Sequence, residues 1–289
     1  MLYAEPLLAQ CIRHKLILKN DSVPEKVAGG FLFTEGPTSD RKGNIYFTDQ
    51  PDNKILSWNN RMGVTVFLTP AGRSNGMMFD RSGNLWTCAD EKNQLWKISP
   101  GKKTDVIITS FNGSRLNGPN DVWISPVGGI YFTDPFYKRD WWDHDIMPQE
   151  KECVYYFSPV SGLLSRVADD LVKPNGITGS ADGKILYVAD IGANKTWRYQ
   201  VNPDGTLTGK ELFCPMGSDG MTTDTEGNIY LTGNGVTIFS SSGIQIAHIP
   251  VPENWTSNVC FGDKDFHTLY ITAGGALYRI RLGVRGVRG

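Results

Sequence analysis

A glycine-centred turn followed by a short alternating apolar strand recurs six times along the chain. D-R-K-G-N (40–44) precedes I-Y-F-T-D, D-R-S-G-N (80–84) precedes L-W-T-C-A-D, and P-V-G-G (126–129) precedes I-Y-F-T-D. D-G-K (182–184) precedes I-L-Y-V-A-D, D-T-E-G-N (224–228) precedes I-Y-L-T, and D-K-D-F-H (263–267) precedes T-L-Y-I-T. Eight residues before Gly43, Gly83, Gly128, Gly183 and Gly227 stand Glu35, Asn75, Asn120, Asn175 and Asp219, and the same step from Phe266 reaches Asn258. Successive positions are 40, 45, 55, 44 and 39 residues apart. A period near 40–45 carrying several short strands marks a β-propeller, whose repeats bury their apolar faces against their neighbours.

The expectation is therefore an all-β, six-bladed propeller in one domain spanning 1–289, with four antiparallel strands per blade. Blades start near 35, 75, 120, 175, 219 and 258. In the first repeat the strands read as Gly36–Asp40, Ile45–Asp49, Lys54–Trp58 and Val64–Leu68. In the last, Thr268–Thr272 and Ala276–Arg281 follow the strand at Asn258, and L-G-V-R-G-V-R-G is too glycine-rich for a good fourth strand. An N-terminal strand near 24–28 is expected to complete that blade and remove a free sheet edge. The tail Gly283–Gly289 reads as a frayed end.

Charge and cysteine usage exclude several classes. A net charge of −1 without a basic block argues against a nucleic-acid partner. No apolar run approaches the roughly 18 residues needed to span a bilayer. The opening M-L-Y-A-E-P-L-L-A-Q lacks a basic segment followed by a long apolar stretch, so no secretory signal is read there. A soluble protein is expected, cytoplasmic or, with a leader removed, periplasmic or secreted, and a monomer or small homo-oligomer. Cys11, Cys88, Cys153, Cys214 and Cys260 form no C-x-x-C pair and read as packed free thiols.

Six inner-strand starts around one channel place a ring of oxygen-bearing side chains at its mouth. Asn75 and Asn258 read equally well as ordinary turn residues before or near glycine; Glu35 does not, because Glu is a poor turn former. Two carboxylates with up to four amides make an all-oxygen site suited to a hard divalent cation. His14, His144, His248 and His267 show no ligand spacing. The 55-residue repeat owes its length to Pro135–Glu152, P-F-Y-K-R-D-W-W-D-H-D-I-M-P-Q-E-K-E, after the second strand of its blade. A loop there emerges at the ring mouth, which makes it a candidate lid with Trp142 and His144 as candidate substrate contacts. The same segment also reads as a surface loop packing Trp141 and Trp142 on a neighbouring blade.

E-G-P (35–37), R-L-N-G-P-N-D (115–121), I-Y-F-T-D-P (130–135), P-N-G-I (174–177), D-G-M (219–221) and L-Y-I-T-A-G (269–274) together resemble the gluconolactonase family, which includes senescence marker protein and luciferin-regenerating enzyme. The resemblance runs from about residue 31 to 281. It implies a six-bladed propeller with a divalent cation in the channel, calcium foremost, with magnesium, manganese or zinc as alternatives. It implies metal ligands at Glu35, Asn175, Asp219 and Asn120, a proton acceptor at Asp219, and a catalytic or substrate contact at Asn120. Arg115 resembles a substrate-binding arginine. The implied reaction is hydrolysis of a sugar lactone, with the cation polarising the carbonyl. No G-x-S-x-G nucleophile motif is present. Hydrolysis of other esters or phosphoesters, and a non-catalytic binding propeller with a structural cation, are the alternatives.

Overall fold

A computed structural model describes residues 17–18 and 23–288. Among these, six four-stranded antiparallel sheets follow one another around a channel. The innermost strands of blades 1 to 6 are Thr34–Ser39, Ser74–Phe79, Val122–Ile124, Pro174–Gly179, Met221–Thr223 and Thr256–Gly262. The first blade continues with Ile45–Asp49, Lys54–Asn59 and Gly63–Leu68, within a residue or two of the spans expected from sequence. The last is completed by Glu25–Gly29, which pairs antiparallel with Ala276–Arg281. Chain closure is thus achieved by the N-terminal strand, as expected. No helix of the described residues is long and apolar enough to cross a membrane.

The tail departs from expectation. Residues 283–288 are not frayed: the Thr225 amide donates to the Arg285 carbonyl at 2.7 Å, the Gly286 amide to Phe266 at 2.8 Å, and the Val287 amide to Thr223 at 3.3 Å. Glycine content weakens a strand but leaves backbone donors free to pair with neighbouring blades, and this tail uses them at the far end of the channel. The hairpin Ser110–Phe111/Ser114–Arg115, between blades 2 and 3, also had no sequence signal in the repeat. Cys88, Cys153, Cys214 and Cys260 are buried free thiols, as expected; Cys11 and His14 lie outside the described residues.

The apolar core is divided into seams between blades. Ile45, Phe47 and Trp58 of blade 1 pack with Tyr270 and Leu277 of blade 6. Cys88 and Leu95 of blade 2 meet Phe132 and Tyr155 of blade 3, and Leu186 and Val188 of blade 4 meet Trp123 and Tyr131 of blade 3. Burial of these large side chains, at about 25 cal/mol per Å² of apolar surface, drives blade stacking. The axis itself stays open to polar groups.

Nearer the axis the seams are polar. The Thr133 hydroxyl of blade 3 donates to the Asn175 carbonyl of blade 4 at 2.7 Å, and that of Thr232 in blade 5 to Ser257 of blade 6 at 2.8 Å. The Ser257 hydroxyl donates to the Thr34 carbonyl at 2.7 Å, carrying the connection across to blade 1. The threonine of I-Y-F-T therefore ties one blade to the inner strand of the next.

The residue pair of an oxygen-bearing side chain and glycine is a packing device, not a turn. Gly36, at φ +47°, lies against the Asn75 backbone carbonyl, where a Cβ would collide. A Cβ on Gly220 would collide with the Asn258 side chain. Register irregularities begin at the ring residue in blade 1, enclose it in blades 2 and 4 and end at it in blade 6. Gly36→Ala and Gly220→Ala are each expected to lower the thermal midpoint by more than about 5 °C, as strain of a few kcal/mol would in a chain of this size. Gly101→Ala is expected to be near neutral, because only Ser99 Oγ approaches, at 3.8 Å. Differential scanning calorimetry of the three variants checks this; equal midpoints would refute the packing argument.

Candidate active site at the channel mouth

Each ring residue is delivered by the start of an inner strand, and the approach to that strand is itself pinned. Asp49, at the end of the second strand of blade 1, accepts the Leu32 and Phe33 amides, both at 3.1 Å. Asp134 accepts those of Asn117 and Gly118 at 2.9 and 2.8 Å, and Asp190 those of Val172 and Lys173 at 3.0 and 2.8 Å. The aspartates ending I-Y-F-T-D and I-L-Y-V-A-D thus fix the loops that lead into Glu35, Asn120 and Asn175.

Asn175 and Asp219 adjoin. Asn175 Nδ2 donates to Asp219 Oδ1 at 2.8 Å, and Trp255 Nε1 donates to Asp219 Oδ2 at 2.6 Å. Asn175 Nδ2 also reaches the Tyr137 hydroxyl at 3.0 Å. Both contacts use the amide nitrogen, so Asn175 Oδ1 is left buried without a partner. Asn75 Oδ1 is in the same condition. Glu35 is buried, with one oxygen accepting its neighbour's Gly36 amide at 2.8 Å. The Asn120 side chain is buried and makes no hydrogen bond among the described residues. Asn258 Oδ1 accepts the Val259 amide at 2.8 Å, and its amide stabilises the charged forms of Glu35 and Asp121.

Burial holds the Glu35 carboxyl well above the usual carboxylate range, and the Asp219 charge pushes it further. Burial also raises Asp219 to about 6, against the opposing hydrogen bonds from Trp255 and Asn175 and the field of Arg139. Among the described residues no lysine or arginine forms an ion pair with either carboxylate. Nor do three His, Cys, Asp or Glu side chains gather anywhere among them as a metal cluster. Any cation at the mouth would therefore be held by two carboxylates supplemented by amide oxygens. The unpartnered Asn175 Oδ1 and two carboxylates without an ion-paired lysine or arginine among the described residues fit a hard divalent ion.

A buried carboxylate of the channel lining, Asp121, escaped the sequence reading. Asp121 stands one residue after Asn120, where blades 1, 2, 4 and 5 carry Gly36, Gly76, Gly176 and Gly220. Burial pushes it to about 7. It lines, with Ile177 and Asn258, a cavity of about 340 Å³ that continues along the channel to Arg41 and Arg81. The break in the oxygen–glycine pattern was the available signal.

The Pro135–Glu152 insertion lies beside the mouth, and its contacts divide in two. Trp142 Nε1 donates to the Asp90 carbonyl at 2.7 Å, and its ring stacks on His144 at 4.9 Å between centroids. Arg115 Nη1 donates to Asp143 Oδ1 at 2.7 Å and lies 3.0 Å from His144 Nδ1. Among the described residues, none of Arg115, Trp142 and His144 hydrogen-bonds to a ring residue. Tyr137 does, and Arg139 acts on Asp219 through its charge. Both were missed in sequence; their proximity to Asp134, where the strand ends at the mouth, was the signal.

Residues 33–275 match the family model for an SMP-30/gluconolactonase/LRE-like region. The chain belongs to this family. A gluconolactonase of Zymomonas mobilis is 31% identical over 288 residues, covering 89% of this chain and 80% of that one. A gluconolactonase from Xanthomonas campestris superposes with a TM-score of 0.86 at 27% identity, over 93% of this chain and 91% of the other. The calcium-binding protein regucalcin from Agrobacterium tumefaciens shares the fold, with a TM-score of 0.76 at 21% identity over 92% and 95% of the two chains.

The raised carboxyls give a signed pH dependence. The unfolded chain releases these protons near pH ~4, whereas the ion-free fold retains them. Their contribution to stability is therefore fully present below that pH and is lost as pH rises through the folded values, about 6 for Asp219. In chelator-containing buffer the thermal midpoint is expected to fall between about pH 4 and 7. Asp219→Asn is expected to fall less steeply. Equal slopes for the two proteins would remove Asp219 from the titration.

Proposed function

We propose that this protein is a lactonase that opens sugar lactones at the channel mouth, with a divalent cation, calcium foremost, as cofactor. One observation carries the reading: the buried Glu35 and the half-buried Asp219 carboxyls lie near the unpartnered Asn175 Oδ1, to whose amide nitrogen Asp219 is hydrogen-bonded. Membership of the gluconolactonase-containing family supports the same chemistry.

Glu35, Asn175 and Asp219 would hold the ion, with Asn120 as a further ligand or a contact to the substrate. When bound, the cation supplies Lewis acidity at the lactone carbonyl. Asp219 is the proton acceptor. Its two oxygens are oriented by Asn175 and Trp255, which keep the carboxylate charged and directed. In its ionised form the carboxylate accepts a proton from the attacking water. The neutral amides of Asn120 and Asn175 orient oxygen atoms without cancelling positive charge. Trp255, 40% exposed, forms part of the rim and covers one side of Asp219.

A pH-indicator assay over several aldonolactones, with calcium or with chelator, tests this reading. Turnover is expected with calcium and is expected to be lost with chelator. Glu35→Gln and Asp219→Asn are each expected to reduce kcat/KM by at least about 100-fold, the scale of losing one charge-stabilising group in an active site, while circular dichroism stays unchanged. Turnover of carboxylic or phosphate esters without lactones would favour a different hydrolase. Loss of folding stability with chelator, without turnover on any substrate, would favour a binding propeller.

A further inference from the structure

We propose that Tyr137 and Arg139, on the Pro135–Glu152 insertion, determine specificity by donating hydrogen bonds to the hydroxyl groups of a polyhydroxylated lactone. The inference rests on the lactonase reading and names the feature of the substrate that this chain selects.

The ring residues mainly present acceptors: the carboxylates of Glu35 and Asp219 and the amide oxygens of Asn75 and Asn175. A sugar lactone carries several hydroxyl groups, each both donor and acceptor. A site that recognises it needs donors beside those acceptors. Tyr137 supplies one. Its oxygen takes the Asn175 Nδ2 hydrogen at 3.0 Å, which leaves its own hydrogen to point elsewhere. No acceptor for that hydrogen is present among the described residues.

Arg139 supplies two more. Its Nε donates to Asp90 Oδ2 at 2.9 Å, and that single bond anchors the guanidinium. Nη1 and Nη2 make no hydrogen bond among the described residues, and the side chain remains 23% exposed. Its guanidinium neighbours the Tyr137 ring, whose hydroxyl contacts the ring residue Asn175, so the fork stands at the same mouth. A planar fork with free amino groups favours paired oxygen acceptors.

Both donors have several neighbours. The Tyr137 ring centroid lies 5.5 Å from the Arg139 guanidinium and 4.7 Å from the Lys173 ammonium. Arg139 also lies 5.6 Å from the Trp141 ring. Asp90 accepts from Gln50 as well, at 3.0 Å, so the anchor for Arg139 is itself fixed. An arginine needed only to neutralise Asp90 would not require this placement over Tyr137.

Two lactones of one ring size separate recognition from chemistry: glucono-1,5-lactone, which bears hydroxyl groups, and δ-valerolactone, which bears none. Calcium-saturated protein is assayed with both, as wild type, Tyr137→Phe and Arg139→Lys. The lysine keeps a charge against Asp90 and loses the fork. Each variant is expected to lose about tenfold in kcat/KM on the hydroxylated lactone, mainly through KM, the scale of one hydrogen bond to a charged or well-placed group. On δ-valerolactone each is expected to lose several-fold less than on the hydroxylated lactone, because any effect through Asn175 or Asp219 reaches both substrates alike while the hydroxyl partners are lost from one alone. Thermal midpoints report whether the fold is kept. Equal losses on both lactones, or no loss on either, overturn the inference. A wild type that opens neither lactone refutes the lactonase reading itself, before any variant is compared, and the inference falls with it.

Discussion

The structure depends on how closely six inner strands can approach one axis. Each blade has a self-contained hydrogen-bonded sheet, but no blade owns its core, because every apolar cluster spans a seam between neighbours. Close approach then requires two polar devices. Threonine hydroxyls cross from a second strand to the carbonyls of the adjoining inner strand. Glycines at the mouth remove the Cβ that would strike a neighbouring backbone or side chain. The ring of oxygen-bearing residues exists because the strands come this close. Burial of carboxyls in that ring carries a desolvation cost, which holds Glu35 and Asp219 above the usual carboxylate range.

Much of this was legible in the residues. A fixed eight-residue step from turn to ring residue made the blade count and the ring positions readable, since both follow from one repeated geometry. The closing strand was readable because the sixth repeat lacked a fourth. Asp121 was hidden by its neighbour: the N-D pair drew attention to Asn120, which occupies the repeat position. Tyr137 and Arg139 were hidden for a different reason. They lie in a segment outside the repeat, where no periodicity assigns direction, and Trp142 and His144 were the more conspicuous residues. Arg115, Trp142 and His144 instead hold one another and the Asp90 carbonyl. The tail was misjudged because strand propensity says little about a segment that pairs through isolated backbone contacts.

The insertion gives the site an asymmetry that the sixfold repeat cannot supply. Acceptors come from the repeated position, one blade after another, whereas unpaired donors come from one excursion of blade 3. Asp90 links the two. It follows directly on the second strand of blade 2, Leu85–Ala89, at the repeat position where Asp49, Asp134 and Asp190 in their own blades tie down an entry loop. In blade 2 the same position takes Gln50 and Arg139.

The pairing of Glu25–Gly29 with Ala276–Arg281 also constrains the order of events during synthesis. Blades 1 to 5 are each assembled from consecutive strands and can form as the chain emerges from the ribosome. The sixth cannot. Its outer strand is made first and its three partners last, so an early segment must stay unpaired through the translation of some 250 residues. Until then the seam between blades 6 and 1 is open, and Glu35 lacks the wall that later buries it. The channel mouth is therefore the last part of the molecule to be finished, and exposed seam surface during that interval is where a chaperone would be of most use.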